Sequence, residues 1–231
     1  CIRDSLWSKT FGGADEDNGW CVREVDDGFV FAGFTKSFGS GGYDFYLVKT
    51  DERGERIWSR TFGGADDDRC WMFDVTDDGG FILVGETRSA GAGERDFFAV
   101  RTDASGKEVW SNTYGGAKDD RCFAVVSADD GYVLAGQTFS EGAGDRDAWV
   151  VKIDNDGERQ WAKTFGGAES DVAHGVCATT DGAFMVTGYT TSLAHDGDDP
   201  YLIKIDGEGK VEWTSVVPIA GIAHTLSLIH I

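Results

Sequence analysis

The sequence predicts an all-β protein in which one unit is repeated four times. Five tryptophans mark the period, because each follows the last by 51 or 52 residues: Trp7, Trp58, Trp110, Trp161 and Trp213. Four of them open nearly the same stretch, which reads WSKTFGGADED, WSRTFGGADDD, WSNTYGGAKDD and WAKTFGGAESD. A fixed period of about 50 residues is typical of repeat architectures. Within each unit the local signals are those of strands and turns, and helix signals are absent.

The first two strands of each unit are joined by a tight turn. The first strand reads CVREVDD in the first copy and MFDVTDD in the second, and it ends at a turn such as DDG. Glycine supplies the positive φ that such hairpin turns need. The second strand is a continuous apolar run, which predicts burial on both of its faces. Its four copies are FVFAGFT, FILVGET, YVLAGQT and FMVTGYT.

The third and fourth strands follow a loop rich in serine and glycine. The third strand is again apolar on both faces, as in DFYLVKTD and DAWVVKID. A turn such as ERG or NDG leads into the fourth strand, which carries the tryptophan of the repeat. Apolar and polar residues alternate around that tryptophan, as expected for an outer strand that is half exposed.

Four short antiparallel strands per unit, two of them buried on both faces, are typical of the blade of a β-propeller. Helical repeat arrays would need helices or shorter periods, and a β-solenoid would lack a hairpin turn at every reversal. The predicted blades lie at roughly residues 19–63, 70–115, 121–166 and 173–217, after an outer strand over 6–11. That leading strand is surplus if the fourth blade has its own outer strand, so we expect a fragment of a larger ring.

The two ends of the sequence depart from the repeat. Residues 1–220 are assigned to the propeller, whereas residues 221–231 match nothing in the earlier copies and are expected to be non-native. Cys1 fits two interpretations, the lipid-bearing first residue of a processed lipoprotein or the start of a fragment. The sequence contains no signal peptide and no apolar stretch long enough to span a bilayer.

Composition limits the partners and the redox chemistry. A net charge of −20 and a pI of about 4.4 argue against nucleic acid, because a phosphate-binding surface must carry basic residues. The five cysteines show no CxxC and no zinc spacing. Four of them recur at even offsets from the repeat tryptophan, so we expect free thiols on one face of the first strand. These four are Cys21, Cys70, Cys122 and Cys177.

The stretches TDASGKEVW and IDNDGERQW resemble the tryptophan-docking motif of the quinoprotein-type propellers, although they lack the threonine before the glycine. In that family the tryptophan docks flat against the next blade, and the turn glycine allows the tight reversal. The resemblance implies that the repeat tryptophans are structural staples between blades rather than platforms for a ligand. The implied staples are Trp7, Trp58, Trp110, Trp161 and Trp213.

The whole unit is more similar to the tandem β-propeller repeats of bacterial and archaeal surface proteins and lipoproteins. The similarity covers residues 6 to about 213 and rests on the pattern W-x-K-T-F-G-G, D-D-G-G-F-x-L-x-G-x-T-x-S and D-x-x-L-V-K-x-D-x-x-G-x-x-x-W. It implies an extracellular propeller, commonly one module of a larger cell-surface protein. It implies no catalytic residues.

The long connectors between strands are expected on one face of the ring, because chain reversals alternate between the two ends of a blade. Loops on a rigid scaffold often carry function. Asp15-x-Asp17 and Asp66-x-Asp68 have the close carboxylate spacing that calcium prefers, whereas the third copy has Lys118 at a ligand position. Two interpretations stay open for these four carboxylates, a calcium site or caps on backbone groups, and the second is favoured.

Signals for catalysis are weak. The sequence has four histidines and contains neither a nucleophile elbow nor a metal-binding H-E-x-x-H helix. His174 occupies the offset of Trp20, Trp71 and Phe123 and is predicted to pack as a flat ring. The favoured function is a non-enzymatic extracellular or cell-surface scaffold that contacts an unknown protein or glycan without a cofactor. The alternative is a propeller enzyme, quinoprotein-like or active on polysaccharide through paired carboxylates.

Overall fold

The computed structural model describes residues 7–193 and 197–217. Every regular element in these residues is a β-strand, and the strands form four sheets of four strands each. Each sheet is an antiparallel meander in which the strands pair in chain order. This part of the chain contains no helix long and apolar enough to cross a membrane.

Each sheet corresponds to one repeat and is called a blade. Blade 1 contains β1 (Asp17–Val25), β2 (Gly28–Thr35), β3 (Asp44–Thr50) and β4 (Arg56–Phe62). Blade 2 contains β5 (Asp68–Val75), β6 (Phe81–Thr87), β7 (Asp96–Thr102) and β8 (Glu108–Tyr114). Blade 3 contains β9 (Asp120–Ala128), β10 (Gly131–Thr138), β11 (Asp147–Ile153) and β12 (Arg159–Phe165). Blade 4 contains β13 (Asp171–Ala178), β14 (Phe184–Thr190), β15 (Asp199–Ile205) and β16 (Val211–Val216).

The second and third strands of a blade are buried on both faces because each face packs against a different neighbour. In β6 the adjacent residues Leu83 and Val84 are both 0% exposed. Leu83 belongs to the core between blades 1 and 2, whereas Val84 belongs to the core between blades 2 and 3. A third core joins blades 3 and 4. This double burial is the physical reason for the continuous apolar runs in the sequence.

Blade 1 packs on blade 2, blade 2 on blade 3, and blade 3 on blade 4. The first strands of successive blades contact one another, which places them on the inside of the arc. Among the described strands, no extensive packing joins blade 4 back to blade 1. The fold is therefore a β-propeller, as the repeat predicts, with four blades arranged as an open arc.

The segment before blade 1 differs from its prediction. Residues 7–11 form no strand, although the sequence predicts an outer strand over 6–11. A strand needs a hydrogen-bonded neighbour, and no strand of the described part lies beside this segment. The segment still packs on blade 1, where the ring of Phe11 lies 5.0 Å from that of Phe31. Residues 1–6, 194–196 and 218–231, with Cys1 and the predicted tail, lie outside the described residues.

The cysteines of the first strands carry free thiols, as predicted. Cys70 and Cys122 are fully buried, whereas Cys21 and Cys177 are half-buried. Burial raises the pKa of the Cys70 and Cys122 thiols. A thiol with a raised pKa is a poor nucleophile, so these side chains act as small apolar core residues.

Candidate binding face

Four of the repeat tryptophans lie against the turn between the third and fourth strands of the following blade. The ring of Trp110 faces Gly157, and its indole N–H donates a 2.8 Å hydrogen bond to the carbonyl oxygen of Asn155. Gly157 has a φ of +82°, and a β-carbon there would lie 3.1 Å from the Trp110 ring. The same contact joins Trp7 to Gly54, Trp58 to Gly106 and Trp161 to Gly209.

Trp213 differs from the other four. No blade follows it in the described residues, and the residue is 45% exposed. The positions of the other four tryptophans agree with a role between blades, which stays a prediction until their contribution to unfolding is measured.

The loops between second and third strands and the connectors between blades lie together on one side of the arc, called the loop face. Backbone hydrogen bonds join the two sets of loops: the N–H of Lys36 donates to the carbonyl oxygen of Glu16 at 2.9 Å, and Arg88 donates to Asp67 at 3.0 Å. The tight turns lie at the opposite ends of the strands. The acidic connectors singled out in the sequence therefore share one surface.

An aspartate at the start of the first strand of each blade, called the inner strand, caps the connector that precedes it. Asp68 accepts hydrogen bonds from the N–H of Gly64 and the hydroxyl of Ser89, both at 2.7 Å. Such a carboxylate satisfies backbone donors that the loop would otherwise leave unpaired. The same pair of bonds is made by Asp17, Asp120 and Asp171.

The four predicted calcium ligands have two different environments. Asp17 and Asp68 are the capping carboxylates of blades 1 and 2, whereas the side chains of Asp15 and Asp66 are exposed. In the described part of the chain, no three His, Cys, Asp or Glu side chains are grouped as a metal site requires. The calcium site stays a prediction, and its two capping carboxylates already serve the loops.

A second aspartate, at the start of the third strand in blades 1 to 3, faces the cap of the next blade. Asp44 accepts a 2.8 Å hydrogen bond from the N–H of Ser40 and lies with Asp68 beside Gly63. Burial raises the pKa of Asp44 to about 6 against the effect of the Ser40 hydrogen bond, and the charge of Asp68 adds to the rise. The pKa values of Asp96 and Asp147 are raised in the same way, with Asp120 and Asp171 as their neighbours.

Each inner strand contains a β-bulge that re-aims one ring side chain. A bulge inserts an unpaired residue and turns its side chain out of the regular alternation. The bulged residues are Trp20, Trp71, Phe123 and His174. Trp20 and Trp71 meet edge to face at 4.9 Å, and His174 stacks between Phe123 and Tyr189 at 5.0 and 5.7 Å. His174 thus packs as a flat ring, and burial, followed by the charge of Arg146, lowers its pKa.

Three arginines from blades 2 and 3 surround a buried carboxylate on the loop face. Glu86 is 3% exposed, and its carboxylate lies 3.4 to 3.7 Å from Arg69, Arg95 and Arg121. Asp119 binds two of the same arginines, Arg95 at 2.7 Å and Arg121 at 2.8 Å. Burial raises the pKa of Glu86, and the three guanidinium groups oppose that rise.

An aromatic patch lies beside this arginine cluster, at the junction of blades 1 and 2. It is formed by Trp20, Phe34, Tyr43, Arg69 and Trp71. The guanidinium of Arg69 lies 4.4 Å from the centre of the Tyr43 ring, and Phe34 meets Trp71 edge to face at 5.7 Å. Trp20, at the edge of the patch, is 57% exposed.

Of the four capping aspartates, the sequence prediction includes Asp17 and Asp68, and it does not include Glu86. A signal for Glu86 exists, because one position of an otherwise apolar strand changes from copy to copy. That position holds Phe34, Glu86, Gln137 and Tyr189. A charge inside a strand that is buried on both faces indicates a partner from another blade.

Comparison with known proteins supports the fold. No family model matches the sequence, and no curated protein matches it significantly. The WD40 domain of Neurospora crassa Pan2 superposes with a TM-score of 0.53 at 15% identity, over 87% of this chain and 52% of that chain. The chain thus spans about half the length of the Pan2 chain. A protein of unknown function from Bacteroides caccae gives a TM-score of 0.40 at 9% identity, over 83% of this chain and 78% of that chain.

Proposed function

We propose that this chain is a non-enzymatic propeller scaffold, secreted or at the cell surface, that contacts a protein or a glycan through its loop face. The observation that carries the proposal is the exposed ring of Trp20 at the edge of the aromatic patch. An apolar ring of this size in water is costly, and exposed apolar surface rimmed by polar groups marks interaction sites. The extracellular location rests on the resemblance of the repeat.

The residue types of the patch favour binding. Tryptophan, tyrosine and arginine are the side chains that most often carry binding energy at protein interfaces, and aromatic rings also stack on sugar faces. Two contacts fix the position of Tyr43 in the patch. Arg69 stacks on its ring, and its hydroxyl donates a 2.6 Å hydrogen bond to Glu16. A rigid aromatic surface loses little conformational entropy when a ligand binds.

The environments of the paired carboxylates favour this proposal over the polysaccharide-cleaving alternative. Asp44 and Asp68 lie on either side of Gly63 and accept hydrogen bonds from loop N–H groups. A glycosidase acid pair must flank a glycosidic bond, whereas these carboxylates are buried between blades.

The experiment is a binding screen of the purified chain against a glycan array and a displayed peptide library. The wild type is compared with Trp20→Ala and with Val109→Ala, which removes a 62% exposed side chain on the outer strand of blade 2. We expect ligands whose binding is lost in Trp20→Ala and kept in Val109→Ala. Ligands that bind both variants as well as they bind the wild type would place the binding surface elsewhere.

A further inference from the structure

Arg95 and Arg146 occupy equivalent places at successive blade junctions. Each immediately precedes the third strand of its blade, and each forms a parallel bridge to the connector that follows. The carbonyl oxygen of Arg95 accepts a 2.8 Å hydrogen bond from the N–H of Asp120, and that of Arg146 accepts one of 2.9 Å from Asp171. The two arginines can therefore be compared position by position.

The partners of the two arginines differ in charge. Arg95 binds Asp119 at 2.7 Å and lies 3.4 Å from Glu86. At the next junction the residue that bridges to Arg146 is Ser170 instead of an aspartate, and the strand position of Glu86 holds Gln137. Both carboxylates that neutralise Arg95 are thus replaced by uncharged side chains beside Arg146.

Arg146 is left as a cation without a carboxylate partner among the described residues. Its Nη1 donates to the Gln137 side-chain oxygen at 3.4 Å, and its Nη2 donates to the Tyr189 hydroxyl. Its Nε is buried and has no hydrogen-bond partner there; the Nε of Arg95 also lacks a hydrogen bond, but it lies 3.4 Å from the Glu86 carboxylate. The residue as a whole is partly buried, and a donor without a partner in such a place is costly.

The surroundings of Arg146 favour a carboxylate ligand. A guanidinium has five donors in a planar fork that matches a carboxylate. The Arg146 guanidinium lies over the ring of Tyr189, 5.5 Å from its centre, and that ring stacks on His174. The nearby capping aspartate, Asp171, already accepts hydrogen bonds from Gly167 and Ser192 at 2.9 and 2.6 Å.

We propose that Arg146 binds a carboxylate group of a ligand on the loop face, in the place that the Asp119 side chain takes beside Arg95. The equivalent arginine at the junction of blades 2 and 3 shows how such a carboxylate would bind, because there the side chain of Asp119 binds Arg95. The site lies at a different junction from the aromatic patch and does not depend on it. A free organic acid and the acidic side chain of a peptide offer the same group.

The test is a titration of the full chain with sodium acetate and with an amidated peptide containing one aspartate, against sodium chloride at equal ionic strength. The readout is the NMR signal of the arginine Nε–H groups. We expect one Nε–H signal to shift saturably with either carboxylate and not with chloride. A tighter response to acetate would identify a small acid as the ligand, and a tighter response to the peptide would identify an acidic side chain.

Two variants and a control make the result specific. Arg146→Gln should abolish the shift, and Ser170→Asp should weaken acetate binding at least tenfold, because the new carboxylate fills the site as Asp119 does. Thr180→Asp adds the same charge at an exposed turn on the opposite face and should leave binding unchanged. Should Arg146→Gln fail to fold, Ser170→Asp still decides. Absence of a saturable shift, or equal affinity in Ser170→Asp and the wild type, would overturn the proposal.

Discussion

The indole N–H of Trp110 donates a 2.8 Å hydrogen bond to the carbonyl oxygen of Asn155, which belongs to the turn between β11 and β12 of the next blade. This contact crosses a blade junction at the outer edge of the arc. The hydrogen bond has a defined direction and so helps to fix how one blade is positioned on the next. The apolar cores between blades define that position less strictly. Trp7 and Trp161 donate the equivalent hydrogen bond to the carbonyl oxygens of Glu52 and Gly207, at 3.2 and 3.1 Å, whereas Trp58 keeps the ring contact alone.

The hydrogen bond of Trp110 can be separated from the packing of its ring. Trp110→Phe keeps most of the ring and removes the N–H, so the free energy of unfolding should fall by about 1 kcal/mol beyond the loss of ring area. Trp58 is the matched control, since its ring lies against Gly106 but its N–H donates to no partner among the described residues. Urea unfolding of both variants measures the difference, and equal losses would contradict it.

Gly157, which lies against the Trp110 ring, is required for two reasons. Its φ is positive, and the space beside it leaves no room for a β-carbon. Gly157→Ala should cost about 1 kcal/mol for the positive φ, and more because the new β-carbon would lie 2.4 Å from the Asn112 side-chain nitrogen and 3.1 Å from the Trp110 ring. Gly182 has a similar φ of +78°, and a β-carbon there would meet no neighbouring atom within 4 Å. Gly182→Ala should therefore show the backbone cost alone. Thermal unfolding that ranked the two variants equally would show that the Asn112 side chain and the Trp110 ring can move aside.

Much of this architecture follows from the sequence. The continuous apolar runs predict strands buried on both faces because each blade is covered by copies of itself. The arginine cluster is harder to predict, because Arg69 and Arg121 lie 52 residues apart and meet at Glu86 only through the packing of two blades. Arg146 lacks a carboxylate partner because Ser170 and Gln137 stand where the previous junction has Asp119 and Glu86. The sequence alone does not show that these two positions lie beside the same arginine.

The pKa of Asp44 predicts a pH dependence of stability. Its folded pKa of about 6 lies above the ordinary value of 3.8, so the folded state holds the proton more tightly. The resulting stabilisation is complete below the ordinary pKa and is lost as pH rises through about 6. Relative to the wild type, Asp44→Asn should therefore gain stability as pH rises from about 4 to about 7.

Urea unfolding at several pH values measures this difference. Asp156→Asn removes the same charge from an exposed turn and serves as the control. A stability difference between Asp44→Asn and the wild type that did not change with pH would contradict the raised pKa.

Calcium should have a small effect, confined to the acidic connectors. We expect millimolar calcium to raise the unfolding temperature slightly over chelator, because carboxylates at the loop face repel one another in an acidic protein. Asp15→Asn with Asp66→Asn should remove that rise and leave the caps of Asp17 and Asp68 intact. A large rise that survives this double substitution would place a metal elsewhere.

We expect the tryptophans at the blade junctions to stabilise the fold, and Trp20 to be available for binding. The most direct measurement is the free energy of unfolding of Trp110→Ala and Trp20→Ala, side by side. Trp110→Ala should lose on the order of 2–4 kcal/mol, because it removes a half-buried ring and a hydrogen bond. Trp20→Ala should change stability by less than about 1 kcal/mol, because the residue is 57% exposed. Equal losses in the two variants, or a larger loss in Trp20→Ala, would contradict these separate roles of the two tryptophans.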